Sequence, residues 1–509
     1  MMLPIGMYLV ALVGGLALGL STRRRSPWWV PVRSFAVAAV VSTVFFQLLP
    51  EALSGLGVWT LPVLLAALVL PSWLGRRGGH AHGHEPGASS HQWGAELAFV
   101  GFVIHQAAES LALGSYVGSL VDDAPPWGLL IALGAHTLPL TAVFVAEAIS
   151  HAGVAAAWRR VAVLVGVTVL GCALGQSFGQ LVQGAHPVLS AVVAGFLAHV
   201  VTHSHHDDGT RPVALGLFDA MAIMLGLGLP LVLELALEGA HGDHGHAHAH
   251  GPVDELREFV ILQWGRFVRL GAAPLVLGWG VALGLLHTRA RAWVGRGVPE
   301  TIALLVFWLG GWTGLAYALA SAFMAVLGQR SFPSERPRMV SEDGLAALRR
   351  RVRETVPWLL LGTYLAAVGM ALGPRGGAWL AALAFAAGLP TVALVPVAAM
   401  LVAHGIGLGW VFAGLLVAPH LRWAVLREVR AGSGAVRGRW MAGIGAAALV
   451  GAVVGAALDG ASAGWLPGWR DGVLQRAGVA VVIAAVFSEM VLVGFHPWMR
   501  ALSGADARE

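Results

Sequence analysis

FVIHQAAESLALG, residues 102–114, sets a histidine, a glutamine and a glutamate inside an apolar run that extends from about residue 95 to 120. Whether this run is a core helix or a membrane span decides the fold. It exceeds the ~20 apolar residues that cross a bilayer. The rest of the chain agrees: of 509 residues 57% are hydrophobic and 12% charged, and the mean hydropathy is +0.74. Soluble domains carry roughly 25% charged residues. The chain reads as an all-α polytopic membrane protein, and the question becomes why His105 and Glu109, four residues apart on one helical face, are placed in lipid.

Working outward, apolar runs lie near 3–20, 34–53, 56–74, 95–120, 127–150, 161–182, 187–202 and 213–237, which predicts eight helices in residues 1–238. The first run lacks a basic n-region and is expected to be a retained span. The chain contains no lysine, so its positive charge is all arginine. Arg23, Arg24, Arg25 and Arg33, then Arg76 and Arg77, then Arg159 and Arg160 alternate with loops bearing Glu51 or Asp122 and Asp123. By the positive-inside rule this expects both ends of the first half outside an inner (plasma) membrane. Arginines confined to such loops set orientation, so no nucleic acid is expected as a partner; the lipid bilayer is the expected partner, with a homodimer left open. The single cysteine, Cys172, excludes an intramolecular disulfide and a thiolate cluster.

Residues 239–258 read as a His-rich linker, and a second apolar block fills 259–509. It holds about seven or eight span-length runs. Its Arg-rich loops 288–298, 329–353 and 422–439 cannot all lie on one side if every run crosses fully. Broken or re-entrant helices would resolve this, at 301–327 and at AFAAGLPTVALVPVAAMLVAHGIGLG, where Gly388, Pro390, Pro396 and Gly405 interrupt the run.

Polar residues inside the first half suggest a metal site. His136 lies three residues before Pro139 in the next apolar run. Two imidazoles and one carboxylate form a common Zn²⁺ ligand set. His199 and His203 add imidazoles from a further span. As an isolated pair, His105 and Glu109 read equally well as an interhelical hydrogen bond. Three aqueous stretches are rich in further histidines: His80, His82, His84 and His91; His205 and His206 beside His203; and His241, His244, His246, His248 and His250. Alternating His-x-His in Gly/Ala context cannot build a core, but it can capture a transition metal or accumulate without function.

These residues carry a resemblance. The first half, about residues 1–238, is similar to the ZIP family of divalent-metal transporters: His105, Gln106 and Glu109 precede SLALG, His136 and Pro139 follow in the next span, QLLPEAL presents Gln47, Pro50 and Glu51, and QSFG begins at Gln176. The resemblance implies an eight-helix bundle with zinc or a similar divalent ion as substrate, and a site at His105, Glu109 and His136 with Gln106 and Gln176 nearby. The chain departs from the family at Gln106, Thr137, Leu140 and Gln176, where the family places acidic or Asn ligands; a neighbouring second metal site is therefore expected to be neutralised. Residues of about 260–500 resemble a heavy-metal and arsenical-efflux type of permease, on Pro396, Leu401, Gly405 and Pro419 after a basic amphipathic segment. Pro390 and Val392 stand where that family often carries Cys-x-Cys, and His404 and His420 read as lone helix-end histidines.

The expected function is metal-ion transport by a secondary carrier or a channel, or with energy borrowed from a partner, since no G-x-x-x-x-G-K-[ST] loop occurs. The alternative is a non-transporting, metal-sensing first half that regulates the permease half. An enzyme is not expected: a membrane metalloprotease would need an H-E-x-x-H that is absent.

Overall fold

The computed structural model describes residues 2–21, 29–78, 88–119, 127–183, 186–203, 217–228, 252–285, 298–309, 311–328, 344–421, 425–426, 429–430, 433–459 and 473–493. Of these, 97% are helical and none is in a strand. Four helical segments are long and apolar enough to cross a membrane: Val30–Leu70, Val154–Ser177, Glu255–Leu285 and Gly434–Asp459. The chain divides into two units, Met1–Arg257 with Met490–Ser503, and Glu258–Glu489 with Gly504–Glu509. The boundary falls at the end of the stretch read as a linker, whose residues from Pro252 onward are already helical.

In the first unit the helices are α1 (Met2–Ser21), α2 (Trp29–Thr43), α3 (Leu49–Leu56), α4 (Thr60–Gly78), α5 (Ala88–Ser119), α6 (Trp127–Ala152), α7 (Val154–Gln183), α8 (His186–His203) and α9 (Leu217–Gly228). Each coincides with one of the eight apolar runs, α2 and α3 sharing the second. Between them Val44–Leu48 forms a π-helical turn. Pro50 has no N–H to give the Phe46 carbonyl one turn earlier, and Arg257 Nε supplies a donor to that oxygen at 2.8 Å.

Apolar solvent gives helices little reason to associate, so close backbone packing must do it. Gly15 and Gly19 seat α1 on α6: a Cβ at Gly15 would lie 2.6 Å from the Leu138 carbonyl oxygen, and one at Gly19 2.6 Å from Val145 Cγ1. Gly114 and Gly171 seat α5 on α7, where a Cβ at Gly114 would fall 2.2 Å from the Cys172 carbonyl oxygen. The core between these pairs is built on Leu12, Phe102, Leu140, Phe144 and Leu164, with Phe102 and Phe144 stacked at 5.0 Å.

The second unit contains α10 (Pro252–Leu285, whose first residues belong to the first unit), α11 (Val298–Leu309), α12 (Gly311–Gly328), α13 (Gly344–Ala371), α14 (Gly373–Ala386), α15 (Thr391–Ala403), α16 (Leu408–Val417), α17 (Gly434–Asp459) and α18 (Val473–Val493, whose residues from Met490 onward belong to the first unit). Two of its apolar runs are broken. Thr313 Oγ1 donates to the Leu305 carbonyl at 3.0 Å; eight residues of straight helix would separate them by ~12 Å, so the chain folds back between α11 and α12. The stretch AFAAGLPTVALVPVAAMLVAHGIGLG breaks twice, at Gly388 (φ 62°) and Gly405 (φ 82°), left-handed conformations that suit glycine. Pro390 is the N-cap of α15, and Pro419 lies in the 3₁₀ turn Ala418–Leu421. Pro396 corrects the sequence reading: it lies buried inside α15 and does not interrupt it. Near the start of a helix a proline removes one intrahelical hydrogen bond, and neighbouring helices cover the freed carbonyl.

Candidate functional site

The residues at 102–114 meet α1, α6 and α7 at one buried point. His105 Nε2 lies 3.0 Å from Glu109 Oε1, with His105 1% and Glu109 14% exposed. Tyr8 of α1 donates its hydroxyl to Glu109 Oε2. The Thr137 side chain of α6 and Cys172 of α7 stand beside that tyrosine. Phe102, one turn before His105, closes the apolar side with its ring centroid 6.3 Å from the imidazole.

His105 Nε2 and Glu109 Oε1 stand at ion-pair distance in this apolar interior. Leaving a carboxylate alone at the centre of a bilayer costs ~2.5–3.5 kcal/mol on insertion scales, and this pairing offsets much of that. Gln106, on the adjacent face of α5, donates Nε2 to Thr168 Oγ1 of α7 at 2.8 Å, and Thr168 passes its own hydrogen to the Leu164 carbonyl at 2.8 Å. The Gln106 side chain is fully buried, yet its Oε1 has no hydrogen-bond partner among the described residues. An uncharged oxygen donor is therefore held one residue from the pair.

The other sequence-derived candidates divide clearly. His199 is buried and its Nδ1 lies 3.0 Å from the Leu68 carbonyl, on the seam between α8 and α4. Gln176 is exposed on α7, one turn beyond Cys172. Leu140 belongs to the core. His136 and His203 lie on α6 and α8, and their side chains fall outside the described residues, as do those of His91 and the loop histidines His80, His82, His84, His205, His206, His241, His244, His246, His248 and His250. His136 directly precedes Thr137, which places its backbone at the turn of α6 facing Tyr8. Among the described residues, no three His, Cys, Asp or Glu side chains converge as a metal-ligand set.

Sequence reasoning missed Tyr8 and Thr168. The chain has only four tyrosines, and one in the middle of an apolar first helix needs a partner for its hydroxyl. That signal was available. Thr168 is ambiguous in sequence, because a threonine in a membrane helix can bond its own backbone.

The fold defines an all-α membrane protein with a buried imidazole–carboxylate–phenol group in its first unit. The chain matches no protein-family model, no curated protein and no solved structure.

Proposed function

We propose that the protein carries divalent transition-metal cations, zinc foremost, across the inner membrane, through a ZIP-like first half joined to a permease-like second half. The observation that supports this reading best is the His105–Glu109 pair, buried and four residues apart on α5, with the orphaned Gln106 oxygen beside it. Glu109 is linked to α1 by the Tyr8 hydroxyl, and the His105 imidazole beside it on the same helix is not needed for that link. The pair holds one imidazole nitrogen and one carboxylate, and the cation would bridge them in their deprotonated forms. His136 is the third ligand in this reading. The single carboxylate offsets only part of a divalent charge, so binding is weak and release is fast. The His-rich loops would gather metal at both surfaces.

Zinc flux into proteoliposomes carrying the full chain tests this. Glu109→Gln, which keeps the shape and removes the charge, is expected to cut flux by roughly tenfold or more. Flux equal to that of the unaltered protein would exclude Glu109 from the path.

The neutral Gln106, spending its amide on Thr168 where a second metal would need an anion, favours a second reading: the first half senses metal and regulates the second. In that case zinc binds at Glu109 but does not itself cross through the first half.

A further inference from the structure

The second unit holds two polar features that the metal reading does not use. One is an ion pair: Arg351 of α13, 4% exposed, brings Nη2 to 2.6 Å from Oε1 of Glu300 of α11, which is 0% exposed. Opposite charges that meet in the interior offset each other, so this pair is a joint between two helices.

The other is a gap where α13, α14 and α15 meet. The chain turns from α13 into α14 at Gly373 (φ 70°), and the glycines four residues to either side come together: a Cβ at Gly369 would lie 3.5 Å from the Gly377 Cα. Met400 of α15, fully buried, enters between them, with its Sδ 3.1 Å from that same Cβ position. A Cβ at Gly377 would meet three groups at nearly one distance: the Gly369 carbonyl oxygen at 2.9 Å, Met400 Sδ at 2.9 Å and His404 Cε1 at 3.0 Å. The missing side chain at Gly377 keeps this space open.

A methionine laid between two glycines is by itself packing. His404 is what packing does not explain. It caps the C-terminal end of α15, one turn after Met400, so thioether and imidazole share one side of the helix. Its Nδ1, bonded to the Cε1 that borders the gap, is buried and has no hydrogen-bond partner among the described residues. A buried imidazole ordinarily spends such a nitrogen on a carbonyl, as His199 does on Leu68 at 3.0 Å. The residue as a whole is partly exposed, which leaves an ion a way in.

The donors at this gap are soft and uncharged. A thioether with an imidazole suits a soft ion such as Cu(I) better than zinc, and neither donor brings a negative charge to offset a divalent one. Asp459, the acid beside the next turn, accepts the Leu408 N–H at 2.5 Å and so caps α16. We propose that Met400 and His404 bind a soft monovalent cation, Cu(I) or Ag(I), in the gap beside Gly377, with the Gly369 carbonyl closing the third side. This site lies in the second unit and stands independently of the zinc reading of the first.

The test uses the purified full chain in detergent with the histidines at 80, 82, 84, 205, 206, 241, 244, 246, 248 and 250 replaced by asparagine. It is titrated by calorimetry with silver nitrate in chloride-free buffer, and the silver-loaded protein is read by X-ray absorption at the silver edge. One tight silver with a sulfur neighbour is expected. Met400→Leu keeps the volume and is expected to weaken silver binding roughly tenfold or more and to remove the silver–sulfur signal. His404→Gln, at a partly exposed helix end, is expected to weaken silver binding by a similar factor, and it decides the matter if Met400→Leu does not fold. Zinc binding should be unchanged in both. Met441, 60% exposed, is the control thioether: Met441→Leu should leave the tight silver in place. Silver affinity unchanged in Met400→Leu or His404→Gln, a silver–sulfur signal that survives Met400→Leu, or an equal loss in Met441→Leu would overturn the proposal.

Discussion

Among the described residues Glu109 is shared between His105 and Tyr8, and the chemistry of the first unit follows from how it is shared. One oxygen faces His105 and the other takes the Tyr8 hydroxyl, so both must be released or bridged before a cation can be held. Tyr8→Phe removes one of these donors. Loss of a hydrogen bond to a charged group is expected to lower stability by about 1.5–3 kcal/mol, measured as a fall in the unfolding midpoint in detergent. Zinc should bind no more weakly, because Glu109 Oε2 has been freed; a large loss of zinc affinity would make Tyr8 part of the binding set instead. Proton release on zinc binding makes a second prediction. Calorimetry in buffers of different ionisation enthalpy should show zinc binding releasing about one proton fewer in Glu109→Gln than in the unaltered chain. Equal proton release in the two proteins would place the bound zinc elsewhere.

At the scale of the element, the site depends on how closely α5 lies against α7. Gly114→Val would drive a side chain into backbone at Cys172, which cannot move aside as a flexible side chain would. The expected cost is about 1–3 kcal/mol, together with weakened zinc binding. Gly166→Ala is the matched control on α7, where an added Cβ meets nothing within 4 Å; it should be neutral or slightly stabilising. Equal losses in the two variants would show that close packing at Gly114 is not what holds the site. The helices themselves were legible in sequence, because a membrane helix must be a long apolar run whatever it packs against. The irregular turns were only partly so. Glycines at 388 and 405 announce left-handed turns, whereas the reversal between α11 and α12 rests on the Thr313–Leu305 contact, which periodicity does not encode. Pro396 carried the opposite error, since a proline marks a missing N–H and not the end of a helix.

Within the whole molecule, the two units carry separate polar centres, one around Glu109 and one around Glu300. The first could be anticipated because His105 and Glu109 are four residues apart in one run. The second could not: Glu300 and Arg351 are separated by 51 residues, and either alone reads as a loop-end charge. If the first unit transports by itself, Thr391→Val, which breaks the Thr301–Thr391 contact in the second unit, should leave zinc flux unchanged in proteoliposomes. A flux that falls with this variant would favour the reading in which metal binding in one half governs the other.

The most direct measurement is equilibrium zinc binding to the full chain in which the loop histidines at 80, 82, 84, 205, 206, 241, 244, 246, 248 and 250 are replaced by asparagine, so that surface capture does not mask the membrane site. One saturable zinc per chain is expected to remain, and Glu109→Gln in that background is expected to remove it. Retention of that zinc with unchanged affinity in the Glu109→Gln protein, or no saturable zinc before it is introduced, would contradict the account.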